Sequence, residues 1–404
     1  MTAWEGNPMA QQRSPSLTPA EARELHQAAL VIDTQQPPIT TGIVFTPGMR
    51  AAVNELAAQG RTRAEAGPVL EATLTREIQE SQAARDIYLN MWRVSSVTVA
   101  CGTFSGFDRL ETAFENAVRK IANAQAMIAA MNDDMLLVRS ANDIERAHQE
   151  GRRGIIVDFQ NTLAFGDQFE RVDLFQGLGL RMVQLTYNLQ NLVGDGCTET
   201  YQGGLTYFGR ELVSRLNRAG IIVDVSHCSE QVGWDAIDVS EAPVIVSHSS
   251  SDTVARHDRG KSDEFARAIA EQGGYFGVVA IPGFIRETPG ASIDDIVRQV
   301  EHLVNVCGID HVGLGTDKAG PGPRTSSMVE FPDDMPAGLP GDFNWSGFRI
   351  EEHRQTAEFT IDGFNSFSDW PNITEGLAAA GFNEVELRKL LGLNYLRVFR
   401  EIVG

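Results

Sequence analysis

The chain has 404 residues, 42% hydrophobic and 22% charged, the composition of a soluble globular protein long enough for one large domain or two ordinary ones. Its 54 acidic residues against 34 basic give a formal charge of −20, which argues against nucleic acid and anionic membrane as partners, since both select basic surfaces. Cys101, Cys197, Cys228 and Cys307 lie far apart with no CxxC pair, so neither a disulfide framework nor a zinc ribbon is indicated. The N-terminus shows no basic start followed by an apolar core, and no run approaches the roughly 18–20 apolar residues of a membrane span. The expectation is a cytoplasmic protein.

Residues 1–17 are polar and read as a tail. Thr18-Pro19-Ala20-Glu21 starts a helix, with Thr18 as N-cap and Glu21 closing a capping box. A buried strand follows at Ala29–Asp33, and Pro37-Pro38 then forbids regular structure. Residues 49–92 are helical in pattern, with Gly60 and Gly67-Pro68 as breaks. Ser95–Cys101 alternates as a second strand, and long helices are expected at Phe107–Asp133 and Ala141–Glu150. Gly154–Phe159 is a third strand ending at Gln160-Asn161. Leu180–Thr186 is a fourth, ending at Tyr187-Asn188. Asn191–Gly204 is a glycine-rich loop and Thr206–Ala219 a helix.

Two short apolar runs come next, Ile221–Val225 and Pro243–Val246, each followed by Ser-His, which gives His227 and His248. Glu230–Ser240 between them has the length of one amphipathic helix, so the stretch is a βαβ unit with an imidazole at the C-terminal end of each parallel strand. Helix Phe265–Gln272, strand Gly274–Ile281, helix Ser292–Cys307 and strand His311–Thr316 follow, the last ending at Asp317. Helices at Ile373–Ala380 and Glu384–Val403 close the chain.

Eight apolar strands separated mostly by helices predict a (β/α)8 barrel. The expected organisation is a tail and short helix over residues 1–28, then one barrel domain over 29–404. That domain carries a helical insertion at 49–92 after the first strand, a long Gly/Pro-rich loop at 318–371, and the C-terminal helices. Gln35, Gln160, Tyr187-Asn188, His227, His248 and Asp317 all follow strands, and in a barrel such positions converge on the C-terminal face. Two neutral imidazoles with a carboxylate suit a divalent metal, zinc first among candidates, although a lone histidine at a strand end is ordinarily a hydrogen-bonded core residue. Tyr187, Asn188 and Asn161 are candidate substrate contacts, with packing an equal alternative. Alternation turns Cys228 away from the bowl, so it reads as a core thiol.

GGLTYFGRELVSRLNRAGIIVDVSHCSE (203–230), APVIVSHSSS (242–251), GIDHVGLGTD (308–317), SDWPNIT (368–374) and LLGLNYLRVF (390–399) occur in the order of the motifs of the membrane (renal) dipeptidase family, which the chain resembles from about Leu30 to Phe399. The resemblance implies a dizinc amide hydrolase, in which His227 and His248 match ligands of one ion. It likewise implies a substrate-carboxylate arginine at Arg259 and a catalytic carboxylate at Asp317. The family's His-x-Asp pair is here Gln35-Gln36-Pro37, its bridging Glu is Gln160, a further His is Leu163, and Lys318 follows Asp317 where the family has Phe. A neutral carboxamide cannot offset the repulsion of two neighbouring dications, which amounts to several kcal/mol, roughly, even at an effective dielectric near 20. The expected cofactor is therefore one zinc ion on His227 and His248, with no second ion. Arg259, Gln160, Asn161, Tyr187, Asn188 and Lys318 would contact a small dipeptide-like substrate. A homodimer is implied by the family. Two alternatives stand beside the hydrolase: a lyase, decarboxylase or isomerase on the same bowl, and a metal-free binding or inactive paralogue.

Overall fold

The computed structural model describes residues 17–36, 44–106, 109–318, 331–332, 334–336 and 360–404. Its strands are β1 (Ile32–Gln36), β2 (Val99–Ser105), β3 (Met135–Leu137), β4 (Arg153–Phe159), β5 (Leu180–Gln184), β6 (Ile222–Asp224), β7 (Val244–Ser251), β8 (Gly260–Lys261), β9 (Tyr275–Val278) and β10 (Val312–Leu314). Eight of them run β1-β2-β4-β5-β6-β7-β9-β10, with β3 attached to β4 and β8 to β7. Each neighbouring pair is parallel. Helices supply the crossovers that parallel strands require. The sheet curls into a nearly closed (β/α)8 barrel, as the strand pattern predicts.

Asp33 ties the seam between β1 and β10. Its carboxylate accepts from Thr316 N at 2.8 Å, Thr316 Oγ1 at 2.5 Å and Trp370 Nε1 at 2.8 Å, and Asp317 N donates to Gln35 O at 3.0 Å.

Alternation along the strands sorts the two faces. Ile32, Cys101, Ile156, Met182, Ile222, Ile245 and Tyr275 form one apolar cluster with Tyr395 and Phe399 of the closing helix Asn394–Ile402, which plugs the barrel. Two residues further along, the same face carries Thr34, Thr103, Asp158, Gln184, Asp224 and Ser247. Gly277 makes that polar layer possible, since a Cβ there would lie 1.9 Å from Ser247 O and 2.8 Å from Thr34 Oγ1. Thr34 instead crosses the barrel to donate to Ser247 O at 2.6 Å.

The capping box at Thr18 forms as read, opening α1 (Pro19–Ala28). The insertion after β1 is three helices, α2 (Pro47–Ala58), α3 (Arg63–Glu80) and α4 (Gln82–Ser95). Gly60 breaks it at φ 68°, but Gly67-Pro68 does not. Pro68 stays inside α3, and the second break falls at Ser81, which caps α4 with its side chain. The first two strands begin later than the apolar runs suggest. Ser95 belongs to α4 and Ser96 leaves it at φ 53°, so β2 starts only at Val99, paired with Ile32. The strands β3 and β8 are additions to the predicted set. The expected helix Glu384–Val403 is interrupted by a π-helical turn at Lys389–Leu393, where Gly392 packs against the Leu30 carbonyl. Most of the predicted 318–371 loop, and the tail before Leu17, lie outside the described residues. Among the described residues no helix is long and apolar enough to cross a membrane.

Candidate active site

After β6 the chain turns through Val225-Ser226 to His227, while His248 sits within β7. Their Nε2 atoms face each other at 2.9 Å. His227 Nδ1 lies 2.6 Å from Asn188 Oδ1, an oxygen that Cys197 Sγ also approaches, at 3.6 Å. A carboxamide oxygen only accepts, so His227 carries its proton on Nδ1 and presents a bare Nε2. His248 Nδ1 lies 2.7 Å from Ser247 Oγ, which donates at 2.6 Å to Asp224 Oδ2. With its own proton directed to Asp224, that hydroxyl accepts from His248, whose Nε2 is bare as well. Burial, with the nearby positive charge of Arg259, holds both imidazoles well below their usual pKa and therefore neutral. The Tyr187 ring stacks on His227 with centroids 4.1 Å apart.

Bare on both sides, the two lone pairs repel unless a cation draws on both; with a proton on either nitrogen they make an N–H···N hydrogen bond. Both far nitrogens are fixed by oxygen acceptors, as in metal-bound histidine pairs. The pair therefore fits one divalent ion. Among the described residues no group of three or more His, Cys, Asp or Glu side chains is gathered for a metal, so further ligands would be carboxamide oxygens or water.

Arg259 lies beneath the pair, fully buried. Its Nη1 donates to Ser226 O at 2.6 Å and its Nη2 to His248 O at 2.8 Å, which braces the backbone of both histidine segments. Nε has no hydrogen-bond partner. The fork predicted to clamp a substrate carboxylate is thus partly spent on main-chain carbonyls.

Asp317 follows β10 with φ 52°, and Asn188 follows β5 with φ 59°. Left-handed backbone outside glycine is uncommon, and strain of this kind collects at functional sites. Burial pushes the Asp317 carboxyl up to about 7; Arg259 and Lys318 oppose this and Asp33 adds to it. Burial also brings Lys318 down to about 8, against the pull of Asp369 and Asp317. Its Nζ sits 5.7 Å from the centre of the Phe364 ring.

On the opposite wall, Gln35 Nε2 and Gln160 Nε2 both donate to Thr103 Oγ1, at 2.8 and 2.6 Å. Asn161 does not join them. Its Oδ1 accepts from Thr162 N and from Asn191 Nδ2, each at 2.8 Å, so it anchors the glycine-rich loop rather than facing the bowl. That loop returns to the histidines: Cys197 N donates to His227 O at 2.9 Å and Thr198 N to Asn188 O at 3.0 Å. Sequence reasoning missed Thr103, Asp158, Gln184, Asp224 and Ser247. Their signal is a polar residue at an inward position of an otherwise apolar strand, as in Val157-Asp158-Phe159-Gln160 and Val223-Asp224-Val225-Ser226.

A parallel barrel with its histidines and a raised carboxyl at the strand C-termini is the architecture of a barrel enzyme. The chain belongs to the membrane dipeptidase family, peptidase family M19, whose model matches residues 63–330. It is 28% identical over 281 residues to the dipeptidase tcpJ of Claviceps purpurea, an alignment covering 69% of this chain and 58% of that protein. It is 31% identical over 241 residues to an uncharacterized dipeptidase of Schizosaccharomyces pombe, covering 57% of this chain and 58% of the relative. The chain thus spans less than two thirds of the length of these two relatives. Among solved structures, an amidohydrolase from Pseudomonas aeruginosa superposes with a TM-score of 0.72 at 30% identity, covering 96% of this chain and 100% of that one. A metallo peptidase from Rhodobacter sphaeroides, liganded with a phosphinate mimic of the dipeptide L-Ala-D-Ala, shares the fold with a TM-score of 0.69 at 19% identity, covering 93% of this chain and 99% of that one.

Proposed function

We propose that this protein is a dipeptidase-like hydrolase cleaving an amide or peptide-like bond in a small carboxylate-bearing substrate, with one zinc ion held by His227 and His248. The observation that carries the reading is the pair of Nε2 atoms 2.9 Å apart, each imidazole fixed from behind by Asn188 or Ser247. His227 and His248 would hold the ion, which would lower the pKa of a bound water towards neutrality and polarise a carbonyl. A second ion does not fit the wall opposite, where Gln35 and Gln160 are neutral carboxamides already bonded to Thr103.

The chain's own residues do the rest. Asp317, raised to about 7, is matched to taking a proton from water and returning it to a leaving amine near neutral pH. Arg259 fixes the histidine backbone and offers its remaining N–H groups, Nε among them, to a substrate carboxylate. Tyr187 holds the His227 ring plane by stacking. Lys318 places a cation beside Asp317. The family resemblance also supports a homodimer, which sedimentation analysis would test.

The replacement of Gln35 and Gln160 for metal ligands favours one other reading, a lyase or decarboxylase on the same bowl. Metal content and product analysis separate the two. Close to one equivalent of zinc, lost in the His227→Ala/His248→Ala variant together with hydrolysis of a dipeptide panel, supports the proposal. Two equivalents would overturn the single-ion site. Full activity in the double variant would overturn the catalytic assignment.

A further inference from the structure

Asp33 is fully buried, and five hydrogen bonds from neutral donors converge on its carboxyl group. Oδ1 accepts from Thr316 N at 2.8 Å and from Gln35 N at 3.3 Å. Oδ2 accepts from Thr316 Oγ1 and Gln36 Nε2, each at 2.5 Å, and from Trp370 Nε1 at 2.8 Å. Donors on both oxygens suit the ionised form. Burial lifts its pKa to about 6 while the donors draw it back, so Asp33 is an anion at neutral pH.

Thr316 supplies two of these donors and directly precedes Asp317. From the other side, Asp317 N donates to Gln35 O at 3.0 Å, and Gln36 Nε2 reaches Thr316 Oγ1 at 3.3 Å. Three residues of β1 therefore grip the peptide between Thr316 and Asp317. Asp317 stands at φ 52°, and a left-handed aspartate persists only where its surroundings over-determine the backbone. The seam supplies that constraint, with Asp33 at its centre.

The same carboxylate acts by charge. Arg259 and Lys318 favour ionisation of Asp317, and Asp33 opposes it. Asp369 and Asp317 both bear on Lys318. Asp158 and Tyr187 feel the Asp317 charge, Cys101 and Tyr275 that of Asp33, and burial keeps all four protonated.

We propose that Asp33 is the positioning residue of Asp317, fixing the turn that carries it and strengthening its carboxylate as a base. This role deepens the proposed function, on which it rests for the fate of the proton but not for the coupling between the two carboxyls.

The test titrates the full chain with its aspartates labelled with carbon-13 at Cγ, the Asp317 resonance being assigned by its loss in Asp317→Asn. In the wild type its midpoint should lie near 7. Asp33→Asn keeps the shape and removes the charge, and should bring that midpoint to about 6 or below. Trp370→Phe withdraws one donor, so Asp33 keeps its proton to higher pH and the Asp317 midpoint should fall in the same direction by less. This milder variant decides the matter if Asp33→Asn does not fold. With a dipeptide substrate, the acid limb of kcat/KM should move with the resonance, and the loss should fall on kcat rather than KM. A midpoint that stays near 7 in both variants, or rises, would overturn the proposal. A resonance that moves while the acid limb stays would uphold the coupling and remove Asp317 as the proton carrier of the proposed function.

Discussion

Asn188 Oδ1 lies 2.6 Å from His227 Nδ1, and this one bond decides which nitrogen of His227 faces His248. Partners of this kind typically change metal affinity about 10–100-fold when removed. Asn188 stands at φ 59°, so Asn188→Ala would mix a lost acceptor with backbone strain. Asn188→Gly removes the acceptor and keeps the conformation. Zinc affinity, measured by competition with a chromogenic chelator, should fall about 10–100-fold in Asn188→Gly and stay near wild type in Asn188→Asp. Unchanged affinity in the glycine variant would defeat the tautomer argument.

Gly196 shows how closely the glycine-rich loop presses on that residue. A Cβ at position 196 would sit 1.9 Å from Asn188 O, an atom that also accepts from Thr198 Oγ1 at 2.8 Å. The backbone has nowhere to move without shifting Asn188 off His227. Gly196→Ala should lower the unfolding temperature by about 1–4 °C, through overpacking that typically costs roughly 1–3 kcal/mol. Zinc affinity should weaken as in Asn188→Gly. Calorimetry and the same chelator competition, run on one preparation, check both halves.

The neighbours Asp317 and Lys318 set a narrow pH window. Asp317 accepts a proton only when ionised, so kcat/KM should rise through about 7; if protonated Lys318 is also required, it should fall again beyond about 8. Lys318→Met should remove the alkaline limb and leave the acid one in place. Asp317→Asn should cost about 10²–10⁴-fold in kcat/KM across the range. A pH profile for Lys318→Met that still falls near 8 would show that another group titrates there.

The barrel was legible because its punctuation is local. Several apolar runs end in a polar pair, and the two Ser-His endings mark the strands that bring His227 and His248 together. Boundaries were harder where helix and strand share residues. Ser95 looks like the start of an alternating strand but is the last residue of α4, and Pro68 lies within α3 without breaking it. The polar layer was not legible, for a different reason. Asp158 meets Thr103 only through the register of β4 on β2, and Gln184 is oriented by the backbone carbonyls of Gln160 and Thr186. Carbonyls leave no trace in residue identity. That is also why Arg259 could be placed at the site from its motif while its bonds to Ser226 O and His248 O could not.

Asp317 should also limit stability. A carboxyl raised to about 7 in the folded state titrates near 3.9 in the unfolded chain. The folded state therefore holds the extra proton between those values, and stability falls as pH rises from about 4 to about 7, remaining low above it. Asn at this position keeps the shape without the charge. Asp317→Asn should therefore equal wild type in stability at pH 4 and exceed it by about 4 kcal/mol at pH 8, a gain of roughly 4–6 °C in unfolding temperature for a chain of this size. The inactive variant should be the more stable protein above neutrality and no better below pH 4. Parallel unfolding curves at every pH would mean that Asp317 is already ionised and compensated in the folded state, and would remove it as a proton carrier poised near neutrality.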